Sequence, residues 1–155
     1  MSIEVHVDWA GATHLVGQLH ESARSATVSF VYAPTWLERT DAFAIDPTSL
    51  PLGAGPRHSP GLFGGIQDCG PDRWGRVLIE RAVRKGVLER KPYQDLDYLL
   101  ALADASRIGA LRFRRNAAGP FLAAGPTSVP PRVRRAALLR ATDAIHGETE
   151  TAADL

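Results

Sequence analysis

One cysteine, Cys69, stands in 155 residues. That excludes an internal disulfide and fits a reducing compartment; the thiol itself reads as a small buried side chain. Long hydrophobic runs are missing as well. The uncharged apolar stretches are far too short to span a bilayer, so no membrane partner is expected. The first residues, Met1 to His6, carry neither a basic n-region nor an apolar h-region, so no signal peptide is expected and the cytoplasm is the expected location.

Catalytic patterns are also scarce. Gly61, Gly64 and Gly65, like Gly53 and Gly55, match neither the dinucleotide fingerprint nor the phosphate-loop spacing, and read as turn and close-packing glycines. The five histidines (His6, His14, His20, His58, His146) are scattered. His14 and His20 could approach each other in a sheet, but no cysteine or carboxylate cluster lies beside them to complete a zinc site. No serine sits in a nucleophile elbow, and no kinase catalytic-loop or metal-binding aspartate motif can be placed. No catalytic, cofactor-binding or metal-ligating residue is therefore assigned, and no cofactor is expected. Residue chemistry points to a binding or structural module rather than a complete enzyme.

What is present is an ordinary globular composition, 45% apolar and 23% charged, in a chain long enough for one domain and part of another. The net charge of +1 hides a division. Up to residue 70 there are three basic and seven acidic residues; from Pro71 onward there are 15 basic and 10 acidic, and arginine greatly outnumbers lysine. A mildly basic second half suits an acidic or phosphate-bearing partner, or simply a solvated face.

The pattern predicts strands over 3–9, 13–20 and 26–32, with Leu15 and Leu19 on one face of the second and a tight turn at Ala10-Gly11-Ala12; short connections make an antiparallel meander the natural arrangement. Pro34 to Arg39 reads as one helical turn, and 42–52, with prolines at 47 and 51, as an edge strand or extended loop. Residues 53–60 are loop by composition. The best-marked helix follows Gly70, with Pro71 at its first position, Asp72 in its first turn, Arg84 and Lys85 in its last and Gly86 ending it. Trp74, Leu78 and Ala82, with Val77 beside them, form its apolar stripe. A second helix starts near Pro92 and runs to Ala103, a strand covers 108–114, and 121–124 is a candidate return strand. A Pro-rich linker over 125–131 leads to a basic helix over 131–146, and Thr151 with Asp154 resembles the start of another capped helix. The expected fold class is α+β: a small antiparallel sheet with packed helices, plus a C-terminal helix after the linker. The expected units are 1–122 and 123–155.

Three segments carry a resemblance. Val28 to Tyr32, then Pro34-Thr-Trp-Leu37 and Ser49-Leu-Pro-Leu52, form the first. The second runs from Phe63 to Asp72-Arg-Trp-Gly-Arg76. The third is Asp104-Ala-Ser-Arg-Ile-Gly-Ala-Leu-Arg-Phe113. In this order, over about residues 3–122, they resemble the N-terminal subdomain of HipA-family proteins, the Ser/Thr-kinase toxins of bacterial toxin–antitoxin modules. The resemblance implies a non-catalytic module that interacts with and regulates a kinase core, in cis or in trans. In full-length relatives the phosphate loop, catalytic aspartate and metal-binding aspartate come later, and none can be placed here. Two functions follow: part of a HipA-like kinase, or a separate small subunit that binds and inhibits such a kinase as an antitoxin. Expected partners are the kinase core or a cognate antitoxin protein, with DNA reached only indirectly through that antitoxin. A weaker alternative is an unrelated nucleic-acid-binding module using the basic helix at 131–146. The candidate partner-interface residues are Trp74, flanked by Arg73 and Arg76, together with Phe63; Trp74 has a competing reading as a core residue on the apolar stripe.

Overall fold

A computed structural model of the chain describes residues 2–22, 27–115, 117–122 and 139. The expected linker at 125–131, the basic helix at 131–146, the element at 151–154 and the unit 123–155 lie outside the described residues.

The architecture is α+β, as the pattern predicts. Strands β1 (Ser2–Trp9), β2 (Ala12–Glu21) and β3 (Val28–Tyr32) form an antiparallel meander. Two further strands, β4 (Arg57–Ser59) and β5 (Leu111–Arg114), complete a five-stranded sheet in the order β4-β3-β2-β1-β5. Four short helices accompany it among the described residues: α1 (Pro34–Leu37), α2 (Gly64–Gln67), α3 (Arg73–Arg84) and α4 (Asp95–Ala101), with a 3-10 turn at Asp104–Ser106. No helix among the described residues is long and apolar enough to cross a membrane.

The β1–β2 turn places Ala10 and Gly11 at φ of 50° and 79°. Both central residues are thus left-handed, matching the twist of a two-residue hairpin. β2 carries an extra residue, since Val5 faces Gly17 while His6 faces Leu15, leaving Val16 without a partner opposite. Such a bulge breaks strict alternation. Leu19 and Val16 are fully buried, whereas Leu15 only packs at the margin, so the two leucines do not share one buried face as alternation alone implies. Gly17 lies close under β3, where an added Cβ would sit 2.3 Å from the Val31 carbonyl oxygen.

Trp36 anchors α1, fully buried with its indole N–H donating to the Phe43 carbonyl at 3.2 Å. Residues 42–52 make no strand. They are held instead by Asp46, a buried carboxylate that accepts from the backbone N–H of Thr48 and Ser49 (3.0 Å each), the Ser49 hydroxyl and the N–H of Gly65 (3.2 Å). Those hydrogen bonds, the Ser49 hydroxyl foremost, hold the Asp46 pKa below the usual carboxylate range. The 53–60 segment is not all loop: 57–59 pairs with β3. Three residues flanked by glycine and proline carry no period of their own, so only the partner strand defines them.

The sheet's other edge closes differently. Leu111 and Phe113 of β5 enter the core, while Gly109, at φ 89°, delays the start of the strand from 108 to 111. The chain then folds back, and the Leu122 N–H donates to the Phe113 carbonyl at 2.7 Å. Phe121 covers His6 edge-on at 5.4 Å and lies under the Arg112 guanidinium at 3.7 Å. Burial lowers the His6 pKa against the pull of the nearby Glu4 carboxylate, which its ring meets at 3.0 Å.

Candidate functional site

The signature segment starts at Phe63, which precedes α2 and is only 2% exposed. Phe63 packs edge-on to Phe30 at 6.4 Å. Expected at an interface, it is instead a core residue, because the short helix it introduces is pressed against the loop at 45–46. An added Cβ on Gly65 would lie 2.3 Å from the Ile45 carbonyl oxygen, so glycine alone allows that approach.

α3 begins two residues later than the sequence implies. Asp72 is its N-cap, accepting from the Gly75 N–H at 2.7 Å, and Pro71 stands outside it. Gly75 is needed there, since a Cβ would come within 2.7 Å of the Pro71 ring. The close neighbour at this glycine is therefore the chain's own proline. At the other end Gly86 is left-handed at φ 73°, Val87 N–H reaches the Ala82 carbonyl and Gly86 N–H reaches Val83, a Schellman closure.

The apolar stripe expected of this helix is not the side that turns inward. Ile79 is its buried residue, Leu78 and Ala82 are half-buried, and Trp74 and Val77 are exposed, Trp74 at 66%. The orientation is set by α4. Tyr98 donates to Glu80 at 3.1 Å, and Arg76 bonds Asp95 at 2.9 Å while its guanidinium lies 4.7 Å over the Tyr98 ring. These contacts draw the Arg76–Glu80 side towards α4 and rotate Trp74 outward. Counting apolar residues at helical spacing could not foresee this, because the neighbouring element offers a carboxylate and an aromatic hydroxyl rather than an apolar wall.

The third segment is architectural. Asp104 receives Arg112 at 2.6 Å. Arg107, largely buried, donates to three carbonyls, Cys69 (3.2 Å), Leu99 (3.0 Å) and Leu102 (3.1 Å), and stacks 4.8 Å from Phe113. Burial draws the guanidinium's pKa down, yet arginine remains a cation, and the carbonyl dipoles supply its compensation. One side chain thus ties the end of α2, the end of α4 and β5 together.

Between this clamp and α3 lies an open groove of about 450 Å³, lined among others by Gly70, Pro71, Trp74, Leu78, Leu102 and Ile108. Ile108 is 77% exposed on its rim. Of the signature residues, Phe63, Gly65, Asp72, Gly75, Arg107 and Phe113 all have packing or hydrogen-bonding work. Trp74 has none.

A family model, described as the HipA N-terminal domain, matches residues 7–114. The chain belongs to the HipA N-terminal domain family. No curated protein matches it. The matched span of this HipA N-terminal domain runs from the last part of β1 through β5 and contains β2 to β5, the groove and both arginine-bearing segments. Of the four interface candidates, the domain displays Trp74 and Arg73, commits Arg76 to α4 and buries Phe63. Ile108, which alternation assigns to a strand, instead stands outside β5 on the groove's rim, and Arg84, a last-turn cation in the sequence, is exposed farther along α3 with Arg81 half-exposed beside it.

Proposed function

We propose that this HipA N-terminal domain is a non-catalytic module that docks on the catalytic body of a HipA-type Ser/Thr protein kinase and regulates it, within a cytoplasmic toxin–antitoxin system. The observation that carries the reading is the exposure of Trp74. A tryptophan two-thirds exposed beside an apolar groove contributes little to the fold, and tryptophan is among the residues most enriched at binding hot spots. The family signature residues around it are occupied with holding the backbone that presents it.

Docking in cis, as one part of a longer kinase, is the first form of the proposal. Docking in trans, as a small subunit that restrains a separate kinase, is the second. DNA enters either form only through an antitoxin partner. The test is to produce the kinase body encoded in frame with, or next to, this chain as a separate polypeptide and to measure its association with the chain and its phosphoryl transfer with and without it. Association weakened at least tenfold by Trp74→Ala, with an unchanged melting temperature, is the expected result. Equal binding by the two proteins would defeat the docking role of Trp74. An in-frame kinase selects the cis form and a separate kinase gene the trans form.

A further inference from the structure

α3 is thinly covered for a twelve-residue helix, with Ile79 its one buried residue. Its charges divide by side. Glu80 and Arg76 are engaged by Tyr98 and Asp95 of α4. Arg73, Arg81 and Arg84 have no hydrogen bond or ion pair from their side chains among the described residues; Arg73 and Arg84 are exposed and Arg81 half-exposed. With Val77 they occupy positions 73, 77, 81 and 84, a single row about 16 Å long. The following turn adds Lys85, Arg90 and Lys91. Residues 73–91 thus hold seven cations and two carboxylates, and Asp95 and Asp97 of α4 pair with two of those cations, Arg76 and Lys91. Like charges three and four apart on a helix oppose its formation, and the helix ends are already secured by Asp72 and Gly86. Arg81 and Arg84 lie in the last turn, where the helix dipole favours cations, but Arg73 stands at the opposite end, where it does not; an arginine row with no ion pair among the described residues, flanking an exposed apolar side chain, fits a partner of opposite charge.

We propose that the kinase surface facing α3 is acidic, a line of carboxylates opposite Arg73, Arg81 and Arg84, and that this pairing steers the encounter of the two. The proposal rests on the reading of α3 as the docking face. Rim charges of this kind act mainly on the association rate and its salt dependence, whereas a central apolar anchor acts on dissociation.

The experiment uses the separately produced kinase body as probe and follows association and dissociation by surface plasmon resonance between 50 and 300 mM NaCl. The wild-type association rate is expected to fall about tenfold or more across that range. Arg81→Glu/Arg84→Glu should associate about tenfold more slowly at low salt, lose most of the salt dependence and dissociate at nearly the wild-type rate. Arg81→Gln/Arg84→Gln, intermediate in rate, guards against an effect of the new carboxylates on the helix, and circular dichroism melts check that both variants fold. An association rate indifferent to salt and to both substitutions, with Trp74→Ala still weakening the complex, overturns the acidic partner while the docking reading stands. Failure of the wild-type chain to bind the kinase body removes the docking reading and this proposal with it. Binding of a 20-base-pair duplex DNA as tight as that of the kinase body, with the same loss on charge reversal, assigns the row to phosphates and likewise overturns it.

Discussion

Trp36 and Trp74 are the same side chain in opposite settings, one fully buried with its N–H satisfied, the other two-thirds exposed. Trp36→Ala is expected to cost about 3–5 kcal/mol, as for other large-to-small core changes. Trp74→Ala should stay within about 0.5 kcal/mol of wild type, the range of surface substitutions away from special features. Urea denaturation of both variants checks the contrast, and a cost for Trp74→Ala approaching that of Trp36→Ala would return Trp74 to the core. Gly65→Ala tests a different strain. With a carbonyl oxygen 2.3 Å from the new methyl group, the loop at 45–46 must move, and overpacking of this kind costs about 1–3 kcal/mol. Wild-type stability in Gly65→Ala would show that loop to be free to yield.

Among the elements, the Asp46 turn makes the clearest pH prediction. Its carboxylate has a folded pKa held below the ordinary aspartate value near 3.9. A depressed folded pKa contributes stability that is complete above the unfolded value and is lost as pH falls through the folded one. Thermal melts should therefore drop between about pH 4 and lower values, and Asp46→Asn should start lower and show a shallower drop. An identical acid response in the two proteins would assign the loss to other groups. The same turn shows what the sequence does and does not disclose. The meander, the two longer helices and β5 were legible because alternation or helical spacing persists over enough residues and because Gly86 and Pro71 punctuate them. Asp46 was not, since a carboxylate that collects four donors looks like any loop aspartate until the backbone curls round it. Nor was the outward rotation of Trp74, which depends on where Tyr98 and Asp95 of α4 stand. The bulge at Val16 likewise leaves no mark in composition; it shows only as a break in register.

For the whole molecule, two further outcomes are expected. Residues 1–122 should fold without the remainder, because the sheet, its core and the Phe121 cover all lie inside that span. Circular dichroism and a cooperative melt of the shortened chain check this, and an unfolded product would move the boundary. The chain alone should transfer no phosphoryl group from ATP with magnesium, since that chemistry needs positioned phosphate contacts and metal-binding acids that its sequence does not offer; radiolabel incorporation above a mock preparation would contradict it.

The sheet also dictates an order of events during synthesis. β1 lies between β2, which follows it at once, and β5, whose Leu111 pairs with Val7. A ribosome adding about 5–20 residues per second needs on the order of 5–20 s to travel from one to the other. Throughout that interval the outer hydrogen-bonding edge of β1 stays open, with the apolar residues Ile3, Val5 and Val7 alongside it. An open edge of this sort is a template for another strand. Nascent chains on neighbouring ribosomes are thus most prone to join one another before Leu111 emerges, and chaperone engagement should peak in that window and end once β5 closes the edge.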